Sequence, residues 1–144
     1  MNTVCERSAV ELAQAYLVAL QAKDKQAILS ILAEEFLLEI PCTLSGTNDL
    51  SDSWSGLQTA DAKYEATFKK IEVLKYVDLE YSRSTDSSIA FAEGRGEMKL
   101  ANGNSYRNRY IFRFDVENGK IKRIREYTNP VTAALAMGLS LPQS

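Results

Sequence analysis

Residues Ser105 to Pro130 read SYRNRYIFRFDVENGKIKRIREYTNP. Two strands and a tight turn account for this stretch. The turn is Glu117-Asn118-Gly119-Lys120, and Asn-Gly tolerates the positive φ that a two-residue hairpin loop demands. Before the turn, Tyr106, Asn108, Tyr110, Phe112 and Phe114 alternate with Arg107, Arg109, Ile111, Arg113 and Asp115. One face is aromatic and the other mostly charged, which is the period of a strand with one buried side. After the turn, Lys122, Ile124 and Glu126 share one face, and Arg123, Arg125 and Tyr127 share the other. Two polar side chains, Asn108 and Glu126, therefore fall on faces that read as buried. A carboxylate on an apolar sheet face is the first place to look for chemistry.

Upstream, helices come first. Ser8 and Glu11 have capping-box spacing and open a helix to about Lys23, with Val10, Ala13, Leu17 and Leu20 as its apolar stripe. Tyr16 flanks that stripe and points either to the core or to a pocket. Asp24 caps a second helix, Lys25 to about Ala33. A short strand, Phe36–Ile40, follows and closes at Pro41. The polar run from Pro41 to Gln58 reads as a loop and contains the only tryptophan, Trp54. Trp54 is a lid over a cavity, an anchor for a partner, or a plug at the core edge. Asp49 and Asp52, its neighbours, read as solvated loop acids.

Thr59 caps a third helix to about Lys70, in which Tyr64 and Phe68 stand one turn apart. Strand patterning runs from Glu72 to Ser84, with Val73, Val77, Leu79 and Tyr81 as the apolar members. Ser88–Lys99 is the next strand, and its Gly94 and Gly96 predict a bend or bulge. Glu93 and Glu97 beside them read as solvated edge residues. After the hairpin, Asn129 and Pro130 start a short helix that ends at Gly138. The order predicts one α+β domain over residues 1–144, with helices on one face of a bent sheet.

Composition removes several function classes. The 17 basic and 19 acidic residues leave a net charge of −2, which offers no field for nucleic acid. Arg107, Arg109, Arg113, Arg123 and Arg125 cluster on outward strand faces, as expected of a solvated or dimer-facing surface. No apolar run approaches the roughly 20 residues of a membrane helix, and no signal-peptide pattern is seen, so a cytoplasmic protein is expected. Cys5 and Cys42 are isolated and read as reduced thiols. The chain contains no histidine, which removes the commonest general base and the commonest transition-metal ligand. No phosphate loop, metal motif or cysteine cluster is present, so neither a metal nor a cofactor is expected.

The order Tyr106-x-Asn108-x-Tyr110-x-Phe112-x-Phe114, then Asn118 to Ile121, then Arg125-Glu126-Tyr127-x-Asn129-Pro130, resembles the SnoaL-like branch of the nuclear-transport-factor-two-like superfamily. Within it, the chain looks most like the phenazine-biosynthesis A/B proteins. Met137-Gly138-Leu139 with Pro142-Gln143 adds to the likeness. The resemblance implies a cystatin-like cone: three helices packed on a curved antiparallel sheet, plus a short C-terminal helix. It implies a pocket for a small organic ligand and a homodimer through the sheet. It makes Glu126 the pocket acid of the Arg-Glu-Tyr-x-Asn-Pro motif, with proton transfer near a carbonyl or imine as its chemistry. Tyr16, Trp54, Tyr64, Phe68, Asn108, Tyr110, Phe112 and Ile124 become the candidate ligand-binding residues. The phenazine A/B proteins draw a histidine from the third-helix region. Here Thr59–Lys70 offers Lys63, Tyr64 and Lys69 instead. Two functions stand at this point. One is an isomerase, cyclase or condensing and dehydrating enzyme that needs no cofactor, with Glu126 as acid/base. The other is a non-catalytic ligand-binding or dimerisation module, in which Glu126 only holds the hairpin.

Overall fold

A computed structural model describes residues 6–45, 48 and 52–141. Chain order is α1 (Ala9–Gln21), α2 (Lys25–Ser30), β1 (Leu32–Ile40), β2 (Asp52–Ser55), α3 (Leu57–Lys70), β3 (Ile71–Val73), β4 (Tyr76–Arg83), β5 (Ile89–Leu100), β6 (Ser105–Glu117), β7 (Lys120–Thr128) and α4 (Pro130–Ala136). The strands form one curled sheet in the order β2-β1-β7-β6-β5-β3, and β4 also pairs with β5. All pairings are antiparallel except β1 with β7, which is parallel. The expected α+β cone is present, with the helices on the concave side.

The β6–β7 hairpin is its spine. Asn118 and Gly119 take positive φ at the turn (52° and 71°), as Asn-Gly requires. Tyr106, Asn108, Tyr110, Phe112 and Phe114 are all buried, and the intervening arginines are not. One face assignment is corrected. Asp115 pairs with Arg123 but Val116 pairs with Ile121, so Lys122 is an extra, bulged residue. The bulge returns Ile121 to the core, and Lys122 is exposed. Ile124 and Glu126 stay on the inner side.

The curl has a readable cause at Gly94. Val77 pairs with Arg95 and Glu80 with Glu93, so two β4 residues stand opposite Gly94. A Cβ there would come within 2.8 Å of Leu79 Cδ2 and 3.1 Å of the Val77 carbonyl. Asp78, in the bulge, takes φ 55°. Glycine thus lets the bulged strand close onto its neighbour.

Helix starts follow the side chains at two of the three early helices. Glu11 N–H donates to Ser8 Oγ (3.1 Å) and Ser8 N–H to Glu11 Oε1 (3.4 Å), the reciprocal capping box. Ala27 N–H donates to Asp24 Oδ1 at 3.0 Å. The third start is corrected: α3 begins at Leu57 with Gly56 as its cap, not Thr59. Gly56 has φ 85° and its N–H donates to the Phe36 carbonyl at 2.7 Å, which turns the chain from strand to helix without a side-chain cap.

The second helix is shorter than its pattern. It stops at Ser30, and β1 begins at Leu32 rather than Phe36. The Ile121 N–H donates to the Ile31 carbonyl (2.8 Å) and Leu32 pairs with Ile121, so β7 draws these residues into the sheet. The 41–58 loop also holds a strand, β2, with Trp54 opposite Leu38. Its polar composition conceals it because an edge strand buries little. Expected strand 72–84 is two strands. Val73 is exposed while Leu74 and Tyr76 are buried, because β3 and β4 pair with opposite ends of β5. Cys42 is a free, exposed thiol. Cys5, Asp49, Pro142 and Gln143 lie outside the described residues. Among the described residues no helix is long and apolar enough to cross a membrane.

Candidate active site

A cavity of about 410 Å³ opens on the concave face between α1, α3 and α4. A volume of that size holds a small organic molecule. Its wall is apolar with a few polar groups: Tyr16 on α1, Lys63, Tyr64 and Thr67 on α3, Tyr76, Tyr106 and Tyr110 on the sheet, and Glu126 on β7.

Glu126 reaches the cavity because β7 is a central strand and Glu126 stands opposite Phe112, whose side chain is fully buried. Among the described residues, no hydrogen-bond or ion-pair partner reaches its carboxylate. Burial pushes its carboxyl above the ordinary glutamate range, and the charge of Lys63 only partly offsets this. Five phenols, Tyr16, Tyr64, Tyr76, Tyr106 and Tyr110, line the same cavity, and the Glu126 charge adds to the upward push on Tyr16, Tyr64, Tyr76 and Tyr110.

The phenols form two pairs and one single. Tyr16 and Tyr64 hydroxyls lie 2.7 Å apart. Tyr110 donates to the Tyr106 hydroxyl at 3.0 Å, which also accepts from Asn108 Nδ2 at 2.8 Å. With both acceptor positions of Tyr106 filled, its own proton is free for the cavity. Tyr76 stands edge-on to Tyr110 and Phe112, with centroids 5.2 and 5.5 Å away. Burial pushes Tyr16, Tyr64, Tyr76 and Tyr110 upward, so these hydroxyls stay protonated and act as donors.

Lys63 is the cationic member. Its Nζ donates to Thr67 Oγ1 at 3.1 Å and lies 4.6 Å from the Trp54 ring centroid. Burial pushes its ammonium below the ordinary lysine range, against the pull of Glu126 and Asp52.

The expected site residues separate into two groups. Glu126, Tyr16, Tyr64 and Tyr110 meet at the cavity. Trp54, Phe68, Asn108, Phe112 and Ile124 do not line it. Trp54 stands on the edge strand behind Lys63, and Phe68 packs on Tyr64 with centroids 6.3 Å apart. Phe112 and Ile124 are fully buried beneath the floor, with Phe112 stacked under Tyr110 at 5.6 Å. The Asn108 amide joins β6 to the start of α4: Nδ2 donates to the Asn129 carbonyl (3.0 Å), and Oδ1 accepts from Asn129 N–H (3.2 Å). Lys63, Tyr76 and Tyr106 are among the lining residues that patterning does not select, and so is Asp52, which reads as a solvated loop acid but borders the cavity from β2. Tyr106 sits on the aromatic face of β6, so its signal was available. Tyr76 was hidden by the break between β3 and β4. Among the described residues, no three metal-ligating side chains converge.

Residues 13–124 match the SnoaL-like domain. The chain belongs to this family. The phenazine biosynthesis protein PhzA1 of Pseudomonas aeruginosa is 50% identical over 36 residues, a stretch that spans 25% of this SnoaL-like chain and 22% of that protein. Over whole folds, a Bacillus subtilis protein provisionally named an isomerase superposes with TM-score 0.80 at 25% identity, covering 94% of this chain and 96% of that one. A Pseudomonas putida protein provisionally named a polyketide cyclase gives 0.75 at 24%, covering 90% and 98%. The phenazine biosynthesis-related protein PhzB2 of Pseudomonas aeruginosa gives 0.75 at 20%, covering 94% and 93%. The SnoaL-like scaffold is thus common to proteins of several names, and the chemistry has to be argued from the site.

Proposed function

We propose that this SnoaL-like protein binds a small, flat, partly polar organic molecule and moves a proton at a carbon next to its carbonyl, with Glu126 as acid/base. The observation that carries this reading is Glu126 itself. Among the described residues its carboxylate has no partner, and it faces a partly open cavity lined by phenolic donors. A stability role would pair that half-buried carboxylate, because withdrawing an acid from water without a partner costs free energy. The raised affinity for protons moves it toward the range in which a general base works near neutral pH. The Tyr106 hydroxyl, with its proton uncommitted, can donate to an oxygen that gains negative charge as the carbon loses its proton. The isomerase and cyclase names of similar folds are compatible with such a step.

The test uses 5-nitrobenzisoxazole, a flat carbon acid. Removal of its C3 proton by a carboxylate forms the nitrile and breaks the N–O bond, which releases a coloured cyanophenolate. Wild type is expected to turn it over with a rate that rises through a pH above the ordinary glutamate range. Glu126→Gln is expected to lose roughly a hundredfold or more. Equal rates for both proteins would overturn the proposal and favour a plain binding module.

The proposal includes a homodimer through the convex sheet face. That face pairs Ile111 (43% exposed) with Tyr127 (36% exposed), beside the Arg113–Asp115–Arg123 ladder. Light scattering at micromolar concentration is expected to return twice the chain mass, and a monomer mass would refute it.

A further inference from the structure

Of the two lysines that border the cavity, Lys63 is half-buried and Lys70 is exposed. Lys25 holds Asp61 and Glu65, each at 2.8 Å. Lys23 donates to the carbonyls of Phe68, Ile71 and Glu72. Lys63 has no carboxylate within ion-pair distance among the described residues. Its one hydrogen-bond partner among the described residues is Thr67 Oγ1, whose own proton goes to the Lys63 carbonyl at 2.9 Å. Thr67 therefore meets the amine as an acceptor only. Lys63 and Thr67 stand one turn apart on α3 and both line the cavity that holds Glu126.

We propose that Lys63 forms an imine with the carbonyl of an aldehyde or ketone bound in this cavity, with Glu126 delivering the proton. The inference rests on the cavity being a ligand site and on Glu126 as its proton carrier. The amine lone pair forms a bond to the carbonyl carbon, and the π pair moves to oxygen. One N–H proton and the Glu126 proton leave with that oxygen as water. The products are a protonated imine on Lys63 and an ionised Glu126, so atoms and charge balance without oxidant or reductant. Burial favours the starting forms, a neutral amine and a neutral acid, since it lowers one affinity for protons and raises the other. The Trp54 ring face, 4.6 Å away, then meets the cation that forms. The Glu126 carboxylate left behind is placed to take the proton from the adjacent carbon. This makes carbonyl compounds with an acidic neighbouring C–H the substrate class.

Borohydride reduction in the presence of 6-methoxy-2-naphthaldehyde, followed by peptide mass spectrometry, tests the step. Labelling at Lys63 is expected to saturate with aldehyde and to run at least about tenfold faster than at exposed Lys69. Glu126→Gln is expected to slow labelling at Lys63 and leave labelling at Lys69 as it was. Lys63→Arg is expected to lose the fast adduct. Lys63 labelled no faster than Lys69 would overturn the imine. Labelling at Lys63 that is undiminished in Glu126→Gln would overturn the role given to Glu126. Wild type that cleaves 5-nitrobenzisoxazole but gives no Lys63 adduct would remove the imine alone. A Lys63 adduct without that cleavage would remove the proton-transfer reading instead.

Discussion

The hydroxyls of Tyr16 and Tyr64 meet at 2.7 Å, and this contact joins α1 to α3 at the head of the cavity. The rings are edge-to-face with centroids 6.2 Å apart, and Tyr16 also packs edge-on to Phe114 at 5.6 Å. Both side chains are buried, so each hydroxyl depends on the other. Tyr64→Phe is expected to cost about 1–3 kcal/mol, because it leaves the Tyr16 hydroxyl buried without its partner. Adding Tyr16→Phe should recover part of that loss, since no orphaned hydroxyl then remains. Urea unfolding of the two single variants and the double variant checks this. Strictly additive losses would show that the pair is not coupled.

Glu126 should reveal its burial through pH-dependent stability. Its folded affinity for protons is raised above that of the unfolded chain. Between the two values the folded state holds more protons, so stability falls as pH rises through that window. The cost is absent below the unfolded value, about 4.3, and complete above the folded one. Glu126→Gln is therefore expected to melt higher than wild type at neutral pH, with the difference fading in acid. A gain that is the same at acid and neutral pH would mean the carboxyl is not destabilised by burial. A variant both more stable and less active would fit an acid retained for chemistry.

The hairpin was legible because three independent signals agreed in one stretch: the Asn-Gly turn, the aromatic alternation and the flanking arginines. The inner placement of Glu126 followed directly from that period. A one-residue bulge leaves no mark in alternation, so the sequence does not show that Lys122 faces outward. β2 has no sequence signature, because Asp52–Ser55 buries little and its stability comes from pairing with β1, a long-range contact. The cavity was harder still. Asn108 looked like a ligand donor, since a buried amide on an aromatic face has no partner in the sequence. Its partners are the Tyr106 hydroxyl on the same strand face and the backbone of Asn129, which only the return of β7 brings near. Lys63 appeared only as a residue standing where a histidine is absent. Its isolation from carboxylates is a property of tertiary packing.

Asn108 is expected to act through Tyr106. Its amide donates to the Tyr106 hydroxyl at 2.8 Å and to the Asn129 carbonyl at 3.0 Å. Asn129 in turn caps α4, accepting from Val131 N–H at 3.0 Å. Asn108→Asp removes both donations and offers an acceptor to Tyr106 instead. The Tyr106 proton should then turn from the cavity to the new carboxylate. The expected result is a loss of about 1–3 kcal/mol in urea unfolding. Turnover of 5-nitrobenzisoxazole should also fall in the folded variant, because its leaving oxygen loses a donor. Unchanged turnover would show that Tyr106 does not serve the ligand.

Gly96 lies against the Tyr110 ring. A Cβ at this position would lie 2.7 Å from Tyr110 Cε2 and 3.1 Å from the Met98 methyl. The methyl can swing aside, since methionine has three rotatable bonds. The Tyr110 ring has less freedom. It is stacked on Phe112, with ring planes 6° apart, and is held by the hydrogen bond to Tyr106. Gly96→Ala should therefore cost about 1–3 kcal/mol through overpacking. The ring has to move toward the cavity, so the variant should also bind 6-methoxy-2-naphthaldehyde more weakly, seen as slower labelling of Lys63. A purely local strand effect would lower stability and leave that labelling unchanged. The two readouts together separate a glycine kept for sheet geometry from one that sets the shape of the cavity floor.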